Sequence, residues 1–139
     1  MKKVLLLAIV LIVGCDNSSS TGSSVHTLVG IWEGTEITIS YTSGELNGTS
    51  VTVPIGENTQ MGTVTWIFGA DGVVSMTSAD ETDSGTWSAT GNKLTLISTE
   101  ETAINDYSIS GNILMIVDEY DGTADGEVSF TSEMKFIKQ

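Results

Sequence analysis

The chain has no arginine, and its 139 residues include only one cysteine, one proline and one histidine. Each scarcity closes a class of function. Five lysines stand against eighteen acids, so the formal charge is −13, and it becomes more negative still if Lys2 and Lys3 leave with an export segment. A folded body of that charge has little with which to neutralise phosphates, which excludes nucleic acid or an anionic lipid face as its partner. With Cys15 alone, no intrachain disulfide can form. His26 precedes the strand-like part of the chain, so no Ser-His-Asp triad, histidine zinc site or histidine base can be assembled within the fold. Acid pairs such as Asp80-Glu81 and Glu100-Glu101 fall in turn-like segments and read as solvated charge rather than as acid and base. No Gly-Lys phosphate cradle occurs, so neither an enzyme nor a cofactor is expected. A helical period is also missing after residue 25.

What the chain has is a phrase written twice: WSATGNKLTLI at 87 to 97 and YSISGNILMIV at 107 to 117. Alternating residues lead into Gly91-Asn92 or Gly111-Asn112, and a Gly-Asn pair between such runs predicts a two-residue hairpin turn. That turn sets the register. Trp87 should face Leu96 and Ala89 should face Leu94, with Ser88, Thr90, Lys93 and Thr95 on the other side. In the second copy Tyr107, Ile109, Leu114 and Ile116 form the inward set. A hairpin with one dry side is not stable alone, so other strands must close around it.

The remaining strands are legible in part. Trp32 and the set Ile37, Ile39 and Tyr41 lie on opposite parities, which requires a bulge near Gly34. Residues 42 to 62, rich in glycine and holding Pro54, read as a long loop with one weak edge strand at Val51-Thr52-Val53. Val64, Trp66 and Phe68 alternate inward, and the turn at 69 to 72 returns the chain along Val74 and Met76. Residues 79 to 85 read as an acidic loop. The final strand puts Val128, Phe130, Met134 and Phe136 on one face. The fold class is therefore all-β, an antiparallel up-and-down barrel of about eight to ten strands, with its last strand closing on its first. One domain fits the length.

The N-terminus carries a separate message. Met1-Lys2-Lys3 followed by the apolar run from Val4 to Val13 has the form of a secretory signal and is too short to span a membrane. It ends at Ile12-Val13-Gly14-Cys15, which resembles the lipobox of bacterial lipoproteins. That resemblance implies cleavage before Cys15, a diacylglyceryl group on its thiol and acylation, commonly by palmitate, of its amine. Each buried acyl chain contributes on the order of 10 kcal/mol, at about 0.8 kcal/mol per methylene, so the membrane becomes the partner of Cys15. The implied layout is a signal peptide over 1–14, a lipidated Cys and Ser-rich tether over 15–27, and the barrel over 28–139. The implied location is the bacterial cell envelope, with inner and outer membrane both open.

Gly30-x-Trp32 at the entry to the first strand resembles the signature of the lipocalins and the wider calycin group, in which the Trp plugs one barrel end. The longer run from Trp66 to Leu96, with its D-G, G-T-W-S and G-N-x-L-x-L phrases, is similar to bacterial lipocalin-like lipoproteins. The resemblance implies a lid from the connection after the first strand. It also implies a C-terminal arginine packed on the Trp, a place that only Lys135 or Lys138 can take here.

Two functions remain open. Trp66, Phe68, Val74, Met76, Trp87, Leu94, Leu96, Tyr107, Leu114, Ile116, Phe130 and Phe136 supply the lining either of a pocket for a small hydrophobic ligand or of a filled core. The second hairpin also turns Ile113, Met115 and Val117 outward, where the first has Lys93, Thr95 and Ile97. Those three are candidates for a face that takes a protein partner, as an adhesin, inhibitor or assembly subunit would; the plainer reading is a bulge or a covering loop. Asp118, Asp121, Asp125 and Glu127 are a weak calcium candidate because their spacing departs from a calcium loop, so no metal site is expected.

Overall fold

The computed structural model describes residues 27–79 and 81–139. Nine strands follow one another: β1 (Gly30–Tyr41), β2 (Ser50–Pro54), β3 (Val64–Phe68), β4 (Val73–Ser78), β5 (Glu81–Thr90), β6 (Lys93–Ile97), β7 (Thr102–Ser110), β8 (Ile113–Tyr120) and β9 (Phe130–Lys138). From β3 to β9 each strand pairs antiparallel with the next, β3 pairs with β1, and β9 returns to β1. Eight strands thus close an up-and-down barrel, which removes the unpaired edges an open sheet would leave. The ninth, β2, lies outside that circuit and pairs only with Glu36–Ser40 of β1. Pro54 ends it, as expected of an edge strand.

The twin hairpins keep the register their turns dictate. Trp87 pairs with Leu96 and Ala89 with Leu94, and Tyr107 pairs with Ile116 and Ile109 with Leu114. Within these two turns only the glycine takes positive φ, 60° at Gly91 and 61° at Gly111. A positive φ at the first central residue alone is the mark of a type II′ turn, whose twist matches that of the strands it joins.

β1 changes parity where the sequence requires it. Its register against β9 shifts between Gly34 and Glu36, so Trp32 and Ile37 both reach the interior although they lie an odd five positions apart. Gly34 itself is a point of close approach. A Cβ there would come within 3.3 Å of the Val64 Cβ and 3.4 Å of the Ile55 Cδ1. Ile55 is buried and Met61 packs on the core, so the connection from β2 to β3 contributes side chains to the interior.

Two segments differ from the sequence reading. Residues 81 to 85 are the first half of β5, not a loop, and pair with Val74–Ser78 of β4. Cross-strand hydroxyls hold this polar stretch, with Thr77 and Thr82 at 3.1 Å. Val128 lies before β9 and is 39% exposed, while its neighbour Ser129 is buried. The alternation is broken because the Ser129 Oγ accepts from the Gly122 N–H at 3.1 Å and donates to Asp121 at 3.2 Å.

Candidate functional site

The barrel has two unlike ends. The tight turns at 69–72, 91–92 and 111–112 gather at one, together with Leu28 and the last residues of β9. Trp32 plugs this end and is fully buried. Its Nε1–H donates to the Leu28 carbonyl at 2.7 Å, so the one polar atom of the plug is satisfied. Lys138 takes the place an arginine would hold: its Nζ lies 5.2 Å from the Trp32 ring centroid and donates to the Thr27 carbonyl at 2.9 Å. Lys135 turns instead to Glu36 at 3.4 Å. Gly30 is required here, because its φ is +138° and a Cβ would meet the Lys138 Cε at 2.8 Å.

Above the plug sits the aromatic cluster. Trp66 lies 5.1 Å from Phe136 and 6.0 Å from Phe68, and Phe68 meets Trp87 edge to face at 5.3 Å. Val74, Met76, Leu94, Leu96, Tyr107, Leu114 and Ile116 are buried in the same core. Phe130 stands apart at the opposite end, stacked on Tyr120 at 5.0 Å. A pocket beside the β6–β7 connection, edged by Met76, Leu96, Ile97, Asp83 and Glu101, measures about 20 Å³. That is room for about one water molecule.

Of the polar groups inside the barrel, Tyr107 was a lining candidate and Asp118 a weak calcium candidate, while Asn105 was not among the candidates. Asn105 is buried. Tyr107 is 7% exposed, and its hydroxyl has no hydrogen-bond partner among the described residues. Asp118 keeps the inward parity of Leu114 and Ile116 and pairs with Ser132 of β9. Burial raises its pKa above the ordinary 3.8, and the charges of Glu119 and Glu101 add to the rise against an opposing backbone hydrogen bond from Glu119. The signal for Asp118 was strand parity carried one step past the last apolar residue.

The four calcium candidates do not converge. Asp118 belongs to β8, and Glu127 accepts the Tyr120 hydroxyl hydrogen bond. One Asp121 oxygen, Oδ1, accepts from the Thr123 N–H at 3.0 Å and the Thr123 hydroxyl at 2.6 Å. Among the described residues no group of three or more His, Cys, Asp or Glu is placed to hold a metal ion. Ile113, Met115 and Val117 do face outward, but each is half-buried. β8 runs without a bulge, and Ile137, Lys135 and Glu133 of β9 lie opposite the three in register. Cys15 and His26, with all of the segment expected to direct export and most of the expected tether, lie outside the described residues.

A closed eight-stranded antiparallel barrel with a tryptophan plug at one end defines a protein of the calycin type. The chain belongs to the lipocalin-like domain family, whose model matches residues 28–116, more than half of its length. No curated protein and no solved structure matches it.

Proposed function

We propose that this is an envelope lipoprotein, held to a membrane through acylated Cys15, whose lipocalin-like barrel is a filled and rigid module presenting its loop-bearing end. The observation that carries the filled-core reading is the interior itself. Every side chain named as a lining except Phe130 belongs to one packed cluster, and the pocket that touches three of them, Val74, Met76 and Leu96, is about 20 Å³, far below the roughly 300 Å³ at which ligand pockets begin. The anchor rests on the lipobox-like Ile12-Val13-Gly14-Cys15. Replacing Cys15 with Ser is expected to release the protein into the detergent-free fraction, and a variant that still needs detergent removes the anchor. For the interior, native mass spectrometry of protein purified from its source is expected to give the mass of the acylated chain alone.

One observation favours a second reading, carriage of a small hydrophobic molecule. The Tyr107 hydroxyl, without a hydrogen-bond partner among the described residues and two positions along β7 from buried Asn105, is the kind of group that a ligand head or a trapped water satisfies. A small molecule recovered by lipid extraction would put the carrier first.

A further inference from the structure

Outside the barrel mouth, between the connection that follows β1 and the one that joins β8 to β9, lies an open groove of about 470 Å³. Its walls differ in chemistry. One is the stacked pair Tyr120 and Phe130, with ring centroids 5.0 Å apart and planes 30° apart; both side chains are half-buried, so ring surface stays accessible. The Tyr120 hydroxyl is held by Glu127. The other wall carries hydroxyls and Asp121. Hydrogen bonds from Thr123 and Ser129 all fall on its Oδ1, while Oδ2 accepts nothing from the described residues. The two connections are tied together beneath the groove, the Thr42 N–H donating to the Ser129 carbonyl at 2.9 Å and the Ser129 N–H to the Ser43 Oγ at 2.8 Å. The site is therefore held in shape before anything binds, which lowers the ordering cost of binding.

We propose that this groove binds a saccharide, one apolar ring face lying on Tyr120 and Phe130 and a pair of its hydroxyls donating to the Asp121 Oδ2. The chemistry selects that class by elimination. Glu119, Asp121 and Glu127 repel an anion. A purely apolar molecule would leave the hydroxyls and the carboxylate desolvated and unpaired. A sugar supplies both halves at once, C–H edges for the rings and O–H donors for the acceptors. An organic ammonium could use the same rings and acids, and the experiment separates it. The inference goes beyond the module reading and is independent of Cys15 acylation and of the barrel interior.

The experiment titrates cellobiose, maltose and diacetylchitobiose separately into the full-length chain, held in a sugar-free detergent, by isothermal titration calorimetry. At least one is expected to give saturable heat with a Kd near 1 mM, equivalent to about 4 kcal/mol. Asp121→Asn keeps the Oδ1 acceptor but turns Oδ2 into a donor, so it should fold, by circular dichroism, and bind at least about ten-fold more weakly. Tyr120→Ala should weaken binding by a similar factor. The proposal is overturned by no heat from any of the three sugars up to about 20 mM, by undiminished binding in folded Asp121→Asn, or by heat from choline with none from the sugars.

Discussion

At the tight-turn end the barrel is shut by Trp32, Leu28, Phe136 and Lys138, whose three apolar members are fully buried. At the loop-bearing end Tyr120 and Phe130 are only half-buried, and Asp83, Glu101 and Asp118 stand near the mouth. The difference follows from how each end meets water. Two-residue turns leave little backbone to cover, so a single tryptophan can seal that end. The longer connections must satisfy their own polar groups, and they do it with hydroxyls and carboxylates that also point toward solvent. Buried apolar packing is thereby concentrated at one end and solvent-facing polar chemistry at the other.

The sharpest break in that comparison is Trp32→Ala. It removes the plug, opens a cavity and leaves Lys138 without its ring, and should cost about 3–5 kcal/mol in urea unfolding. A loss below about 1 kcal/mol would mean that the plug is not what closes the barrel. Gly30→Ala comes next, at about 1–3 kcal/mol, because it combines an unfavourable φ of +138° with a Cβ 2.8 Å from the Lys138 Cε. Gly126→Ala is its counterpart at the other end, with a φ of +73° and no atom within 4 Å of a new Cβ. It should cost only the conformational penalty, about 1 kcal/mol. Lys138→Met keeps the aliphatic stem over Gly30 but removes the ammonium from Trp32 and Thr27, for an expected loss of about 0.5–1 kcal/mol, read as a lowered thermal midpoint.

Much of the architecture was legible because it depends on short-range rules. Gly91-Asn92 and Gly111-Asn112 set the registers of their hairpins, and the parity conflict between Trp32 and Ile37 located the β1 bulge. The strand at 81 to 85 was not legible, since Glu-Thr-Asp-Ser-Gly has turn composition and only its partner β4 and their cross-strand hydroxyls keep it extended. The inward turn of Asp118 was hidden for a related reason: an acid ending an apolar strand reads as the start of a loop. The groove was beyond reach from sequence, because Thr42, Asp121 and Ser129 meet only once β1 and β9 are neighbours. The division between the twin hairpins was legible as far as Met115, yet its half-burial depends on Lys135 and the other β9 side chains beside it.

The smallest expected effect compares two places at the loop-bearing end, the mouth and the rim, through pH rather than packing. Asp118 at the mouth and Asp121 on the rim are three residues apart, and their pKa values move in opposite directions from 3.8. Burial holds Asp118 protonated where the unfolded chain has already lost the proton, so the native state binds more protons and stability falls as pH rises above 3.8 through the native value. Hydrogen bonds from the Thr123 hydroxyl, the Thr123 N–H and Ser129 favour the Asp121 carboxylate, so its contribution is present above 3.8 and is lost as pH falls through its lowered native value. Asp118→Asn should therefore raise the thermal midpoint at neutral pH and leave it unchanged well below 3.8. Asp121→Asn should lower the neutral midpoint slightly, with the deficit closing in acid. Melting both variants beside the parent chain across that range decides the matter. If the two differences share a sign at neutral pH, the mouth and the rim are one electrostatic environment and the contrast between them is wrong.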